Sequence, residues 1–256
     1  MKSRLALTLA AVSVALLPDV SAAAGVGVTT TLTAASQYLF RGLRLSDGGL
    51  QPAVEVAAGD GVVGFWGNFP LNGDKVPGSS DPELDVYGAF NVSLPGNLTL
   101  TPGFTYYTYP QAPTGAGFYR RTLEPSLAAS WVIDGVRLTP KVCYDVTLRG
   151  ATWELTGFYA YPLAALGTEL DFTLTFGTYR WKDAASGASP AVKAWGDYWL
   201  AGVALPFQLS AASKVTVGFA FTEGRRAFTK TGSFGKAPNS LAVGRGVATV
   251  SYAVSF

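Results

Sequence analysis

From Gly25 onward the chain alternates apolar with polar residues at period two, and the polar positions carry ionisable groups in segment after segment. Successive side chains of a strand point to opposite faces, so the pattern describes strands with one apolar and one charged face. In 169–178, Leu170, Phe172, Leu174 and Phe176 share one face while Glu169, Asp171, Thr173 and Thr175 share the other. Leu84, Val86, Phe90 and Val92 likewise oppose Glu83, Asp85 and Asn91, and Val136, Leu138, Val142, Tyr144 and Val146 oppose Arg137, Thr139, Lys141, Asp145 and Thr147. Burying so many charges in a dry core is prohibitive. Turning the apolar faces to lipid and the charged faces to a wet interior removes the problem, and closing the sheet leaves no unpaired edge. A soluble sandwich is the competing architecture.

Segments of this kind predict twelve strands, near 27–41, 51–58, 62–69, 82–94, 97–109, 119–131, 136–148, 151–162, 168–180, 194–205, 213–223 and 245–256. The expected fold is therefore all-β, a transmembrane antiparallel up-and-down barrel of about twelve strands with both termini periplasmic, as bacterial barrels have even counts. In 194–205, Asp197 falls on the face of Trp199, Val203 and Leu205, so a bulge or a shifted register is expected there. Connections alternate in length. Gly59–Gly61, Pro95–Gly96, Asp134–Gly135, Leu163–Gly167 and Pro206–Ala212 are short and turn-like, the periplasmic pattern, whereas Pro70–Asp81, Pro110–Phe118, Lys182–Lys193 and Gly224–Gly244 are longer external loops, with Arg149–Gly150 the short exception.

Composition agrees with a membrane wall of strands. Charged residues make up only 14% and mean hydropathy is +0.25, yet every later apolar run is broken well short of the roughly 20 residues that a spanning helix needs. At the start, Lys2 and Arg4 precede an apolar run from Leu5 to Leu17, then Ala22-Ala23-Ala24. This is the pattern of a secretory signal peptide, so residues 1–24 are expected to be cleaved and 25–256 to form the barrel. A retained anchor is the alternative, for which the run is short. Aromatics near strand ends, at Tyr38, Phe40, Tyr106 to Tyr109, Trp131, Tyr159, Tyr161, Tyr179, Trp181 and Trp195, suit interfacial girdles. The final strand sets Val250, Tyr252, Val254 and Phe256 on one face, and the row Tyr252, Val254, Phe256 resembles the assembly signal that the barrel-assembly machinery reads.

Several residues also match a known family. Ser36-Gln37-Tyr38-Leu39-Phe40-Arg41-Gly42, Ser46-Asp47-Gly48 and Gln51-Pro52-Ala53-Val54 resemble the first strand and first loop of the TorF porin family of Gram-negative outer-membrane proteins. Gly64-Phe65-Trp66-Gly67-Asn68 and Tyr106-Tyr107-Thr108-Tyr109-Pro110 resemble its third-strand and mid-chain motifs. The resemblance implies an outer-membrane channel. It names no substrate and no catalytic residue.

The chain has no histidine, which removes Ser-His-Asp and Cys-His catalysis and histidine metal sites. No phosphate-binding loop, metal-ligand spacing or cofactor motif occurs, and a net charge of +2 from scattered basic residues gives no nucleic-acid footprint. The single Cys143 cannot form an intramolecular disulfide and is expected to be a packing residue on a strand. No enzyme and no cofactor are expected. The permitted chemistry is electrostatic filtering: twelve strands spaced about 4.8 Å apart and tilted about 40° give a backbone diameter of about 24 Å. Sorting by face lines the interior with Arg41, Glu55, Glu83, Asp85, Arg120, Glu124, Lys141, Asp145, Arg149, Glu154, Glu169 and Asp171, together with Arg137 and Lys214. Glu124, Asp145 and Glu154 are expected to cluster, with Lys141, Arg120 and Arg149 as counter-charges. Such a set either lines a mildly cation-preferring pore for ions and small polar solutes or forms ion pairs that plug the barrel. A structural or adhesive barrel acting through loop 224–244, with Arg225, Arg226, Lys230 and Lys236, is the alternative of a different class.

Overall fold

The computed structural model describes residues 25–71, 82–111, 120–182, 193–225 and 245–256. They form β1 (Val26–Phe40), β2 (Leu43–Ala58), β3 (Gly61–Pro70), β4 (Glu83–Phe90), β5 (Val92–Leu94), β6 (Leu98–Thr108), β7 (Arg121–Ile133), β8 (Val136–Asp145), β9 (Gly150–Leu163), β10 (Thr168–Lys182), β11 (Lys193–Ser210), β12 (Ser213–Arg225) and β13 (Arg245–Ser255), with one short 3-10 turn at Ala164–Leu166. β4 and β5 are one wall strand interrupted at Asn91, because Leu84 opposite Thr108 and Val92 opposite Leu100 lie on a single register against β6. Each wall strand pairs antiparallel with the next, and β1 also pairs with β13. The result is a closed barrel of twelve strands, as the alternation predicts. The expected signal peptide and most of the four long external loops lie outside the described residues.

Packing is inverted relative to a water-soluble protein. Phe172, Leu174 and Phe176 are exposed on the outer face while Asp171, Thr173 and Thr175 beside them are buried within. Leu32, Val54, Phe65, Val86, Phe104, Trp153, Phe219 and Val250 continue the apolar outer surface around the wall. Inside, hydroxyls meet across strands: Thr156 and Thr175 at 2.9 Å, Thr33 and Ser251 at 2.8 Å, Ser130 and Thr139 at 2.8 Å. The apolar belt belongs in hydrocarbon and the hydrogen-bonded interior away from it, so this is the fold of an outer-membrane barrel.

Four features depart from the sequence reading. β2 begins at Leu43, so Ser46-Asp47-Gly48 is strand and the first external connection is only Arg41-Gly42. β11 extends to Ser210, which leaves a two-residue turn before β12. No bulge interrupts 194–205: pairing with β10 is continuous from Ala204 to Lys193, Asp197 stays on the outer face opposite Arg225, and the register shifts only between Gln208 and Ser210. The strand absorbs Asp197 at its external end, where the outer face leaves the apolar belt.

The fourth departure concerns the aromatics. Tyr159 and Tyr161 face outward, but Tyr38, Tyr107 and Tyr179 are buried in the interior. Glycines make room for such rings. A Cβ on Gly196 would lie 2.0 Å from Cζ of Tyr179, and one on Gly177 would lie 2.2 Å from Cζ of Tyr198, so each ring lies flat over the glycine directly opposite it.

The outer belt yields a test. Leu174→Arg, in mid-strand on the lipid face, is expected to cost about 2–4 kcal/mol, as charges at the midplane of barrels do. Reversible denaturant titration in lipid vesicles measures this. A cost near zero is the result for a water-facing surface and would contradict the assignment.

Candidate functional site

The interior is organised by the turn between β1 and β2. Arg41 and Gly42 both have positive φ, 47° and 79°, the backbone that a two-residue hairpin requires. Glycine adopts it freely, whereas arginine gives up about 1–2 kcal/mol there. Between Tyr38 and Leu39 the hairpin slips register, and beyond that point both residues turn inward. Leu39 packs with Ala35, Leu200, Ala220 and Val247, and the Tyr38 ring lies 5.3 Å from that of Trp66. The tip meets the opposite inner wall so closely that a Cβ on Gly42 would stand 2.6 Å from Cβ of Tyr198 and 2.7 Å from Cα of Gly224.

From this tip Arg41 reaches across the lumen. Its two terminal nitrogens donate to the two oxygens of Glu124, each at 2.8 Å, and its Nε lies 3.7 Å from Oε1 of Glu154. Glu124 is on β7 and Glu154 on β9, flanking β8, which stands six strands from β1 in either direction around the ring. All three side chains are 3% exposed. The bidentate fork is the strongest geometry available to a guanidinium and a carboxylate. The wall orients both acids: Tyr107 donates to Glu124 at 3.3 Å and Tyr198 donates to Glu154. The Phe40 ring lies 4.7 Å from the Arg41 guanidinium carbon.

Other interior charges fall into an upper and a lower tier. Lys141 is paired directly opposite Glu154 in the β8–β9 register. Glu83 accepts from Tyr109 at 3.3 Å, and Asp85 is buried beside it on the same face with Oδ1 unpartnered. Asp145 has a local task, accepting from Thr122 at 2.8 Å and from the backbone N–H groups of Thr147 and Leu148 at 2.9 and 2.7 Å. Nearer the periplasmic turns, Glu55 accepts from Tyr87 at 2.8 Å, and Lys214 faces Asp171, Glu169 and Glu55. Arg137 lies over the ring of Phe158 at 5.3 Å. A cavity beside Glu154 is lined by Tyr87, Thr105, Ser126, Thr139 and Lys141.

Of the residues that the alternation sends inward, Arg120 and Arg149 are the exceptions. Both are exposed at the external rim, Arg149 in the β8–β9 turn with φ 50°. They lie past the ends of the paired strands, where alternation no longer fixes a side chain's direction. Lys141 acts on both Glu124 and Glu154, and the counter-charge in direct contact with them is Arg41, which the period-two pattern counts as one more wall residue. The signal for its role is an arginine where hairpin turns favour Asn, Asp or Gly. The outward row is as expected in placement: Tyr252 and Phe256 are exposed and Val254 is half-buried. The backbone of Phe256 exchanges hydrogen bonds with Val28, at 2.8 and 3.3 Å, and extends the seam.

Because the bridge is buried, breaking it from one side strands a charge. Arg41→Ala or Glu124→Gln alone is expected to cost about 3–5 kcal/mol, and the double variant much less than their sum. Equilibrium unfolding of the four proteins checks this, and additive costs would show that the pair does not couple.

Comparison with known proteins places this geometry. The barrel superposes on the NanC porin with a TM-score of 0.50 at 9% identity, covering 90% of this chain and 99% of that one. It superposes on the KdgM porin in complex with disordered oligogalacturonate with a TM-score of 0.51 at 10% identity, again covering 90% and 99%. At such identities the likeness is one of fold. No curated protein sequence matches the chain significantly. The family model described as a bacterial protein of unknown function, Gcw_chp, matches residues 19–198, more than half of the chain, and the protein belongs to that family.

Proposed function

We propose that this barrel is a narrow outer-membrane channel for ions and small polar solutes with a mild preference for cations. The observation that carries the proposal is the sign of the inner wall. Among the described residues, Glu55, Glu83, Asp85, Glu124, Asp145, Glu154, Glu169 and Asp171 face inward against Arg41, Arg137, Lys141, Lys214 and Arg245, and the acids outnumber the bases. A polar lining a few side chains across sets ionic preference, because a permeating ion trades hydration for those groups. The shared fold with two porins and the resemblance of the early strands to the TorF porins support passage as the task. An anionic chain such as the oligogalacturonate found with the KdgM porin would meet repulsion in both tiers here.

The test is the purified protein in planar bilayers under a salt gradient. The expected reversal potential favours cations, and Glu83→Gln with Asp85→Asn is expected to move it toward zero. Absence of conductance, or a potential favouring anions, would overturn the proposal.

A further inference from the structure

The groups that hold Arg41 form a receptor for one particular chemistry. Glu124 presents both oxygens to two nitrogens of a single guanidinium, each at 2.8 Å, a planar fork that an ammonium cannot reproduce. Tyr107 and Tyr198 brace the two carboxylates from the wall. These four residues belong to β6, β7, β9 and β11, whereas Phe40 and Arg41 belong to the hairpin end, so receptor and occupant can separate without breaking the barrel.

The receptor is also not saturated by its occupant. Glu154 meets Arg41 through Oε1, at 3.7 Å, and its Oε2 is buried with no hydrogen-bond partner. Oδ1 of Asp85, whose carboxylate interacts with that of Glu124, is buried and unpartnered as well. Glu83, Asp85, Glu124 and Glu154 thus surround the position, with Arg41 and Lys141 as the basic groups against them. A guanidinium free of the hairpin could settle between Glu124 and Glu154 without the left-handed backbone that Arg41 adopts to reach them.

We propose that Glu124 and Glu154, braced by Tyr107 and Tyr198, are a binding site for a small guanidinium-bearing cation, and that Arg41 is a tethered occupant which such a ligand displaces. The inference deepens the cation-channel proposal by naming a class of cation, and its transport consequence rests on that proposal, whereas binding itself requires no conduction. Displacement frees the hairpin end from its bidentate anchor and opens the bridge across the lumen.

The chain carries its own reporter. Cys143 is the single cysteine of the sequence, faces the lumen on β8 between Lys141 and Asp145, and is 1% exposed. In the whole refolded protein, methylguanidinium is expected to speed modification of Cys143 by a small thiol reagent by about tenfold or more, a shift of roughly 1.4 kcal/mol, while tetramethylammonium at equal concentration does not. Arg41→Ala is expected to bind methylguanidinium by calorimetry more tightly than the unaltered protein, and adding Glu124→Gln to abolish that binding. Equal effects of the two cations on Cys143, or calorimetric binding that survives Glu124→Gln, would overturn the site. Should Arg41→Ala fail to fold, the labelling of the unaltered protein decides alone. Bilayer recordings separate the two proposals: binding without current overturns the channel and leaves the site, and current without discrimination between the cations overturns the site and leaves the channel.

Discussion

In hydrocarbon a backbone N–H or C=O has no water to turn to, and each one left unpaired costs several kcal/mol. A wall of strands can meet that demand only by closing on itself, and here the closing seam is the pairing of β1 with β13, Thr29 opposite Ser255 through Ala35 opposite Thr249. Everything else in the structure follows from that closure. The apolar residues of each strand must face lipid, so Phe172, Leu174 and Phe176 are exposed. Their neighbours at the intervening positions must then face inward, and these are the residues that carry hydroxyls and charge.

An interior assembled in this way has to be stabilised largely without a hydrophobic core, the Leu39 cluster aside. Thr and Ser pairs do so along the strands, and tyrosines do so by lying over glycines, as Tyr179 and Tyr198 do on Gly196 and Gly177. Charges need more. Lys141 on β8 stands opposite Glu154 and acts on Glu124 as well. The hairpin end adds Arg41 from the far side of the barrel, which grips Glu124 with both terminal nitrogens. That explains why β1 and β2 continue past the register slip at Tyr38 and fold inward rather than ending in a free external loop.

Period two is a local property, and what it specifies was legible. Each predicted strand has its counterpart, and the inward placement of Glu83, Asp85, Glu124, Lys141, Asp145, Glu154 and Asp171 needs only a count along one strand. Residues beyond the strand ends escape the rule, which is why Arg120 and Arg149 stand at the rim. The extension of β2 through Ser46 to Gly49 was hidden by turn-forming residue types that this strand tolerates because Arg44 pairs with Asp47 at 2.9 Å and Asn68 donates to Ser46. Tyr38 and Tyr179 resemble interface anchors by position, but Tyr179 lies inward over the glycine opposite it and Tyr38 turns inward at the register shift of the first hairpin, facts of pairing rather than of sequence. The bridge itself joins residues 83 and 113 positions apart across a lumen, and no local pattern encodes it.

The same separation bears on how such a contact can work. A charge pair within the wall is fixed in place, because its partners cannot part without unzipping strands. Arg41 and Glu124 differ, since the wall keeps its hydrogen bonds whether or not the tip is in place. The bridge therefore contributes to the energy of one loop conformation as well as to that of the fold. Its buried bidentate geometry favours the inward tip, and the left-handed backbone at Arg41 and the unpartnered oxygens of Glu154 and Asp85 favour release. Opposed contributions of a few kcal/mol each are what a two-state element requires, because neither state then lies beyond the reach of a ligand that binds one of them better.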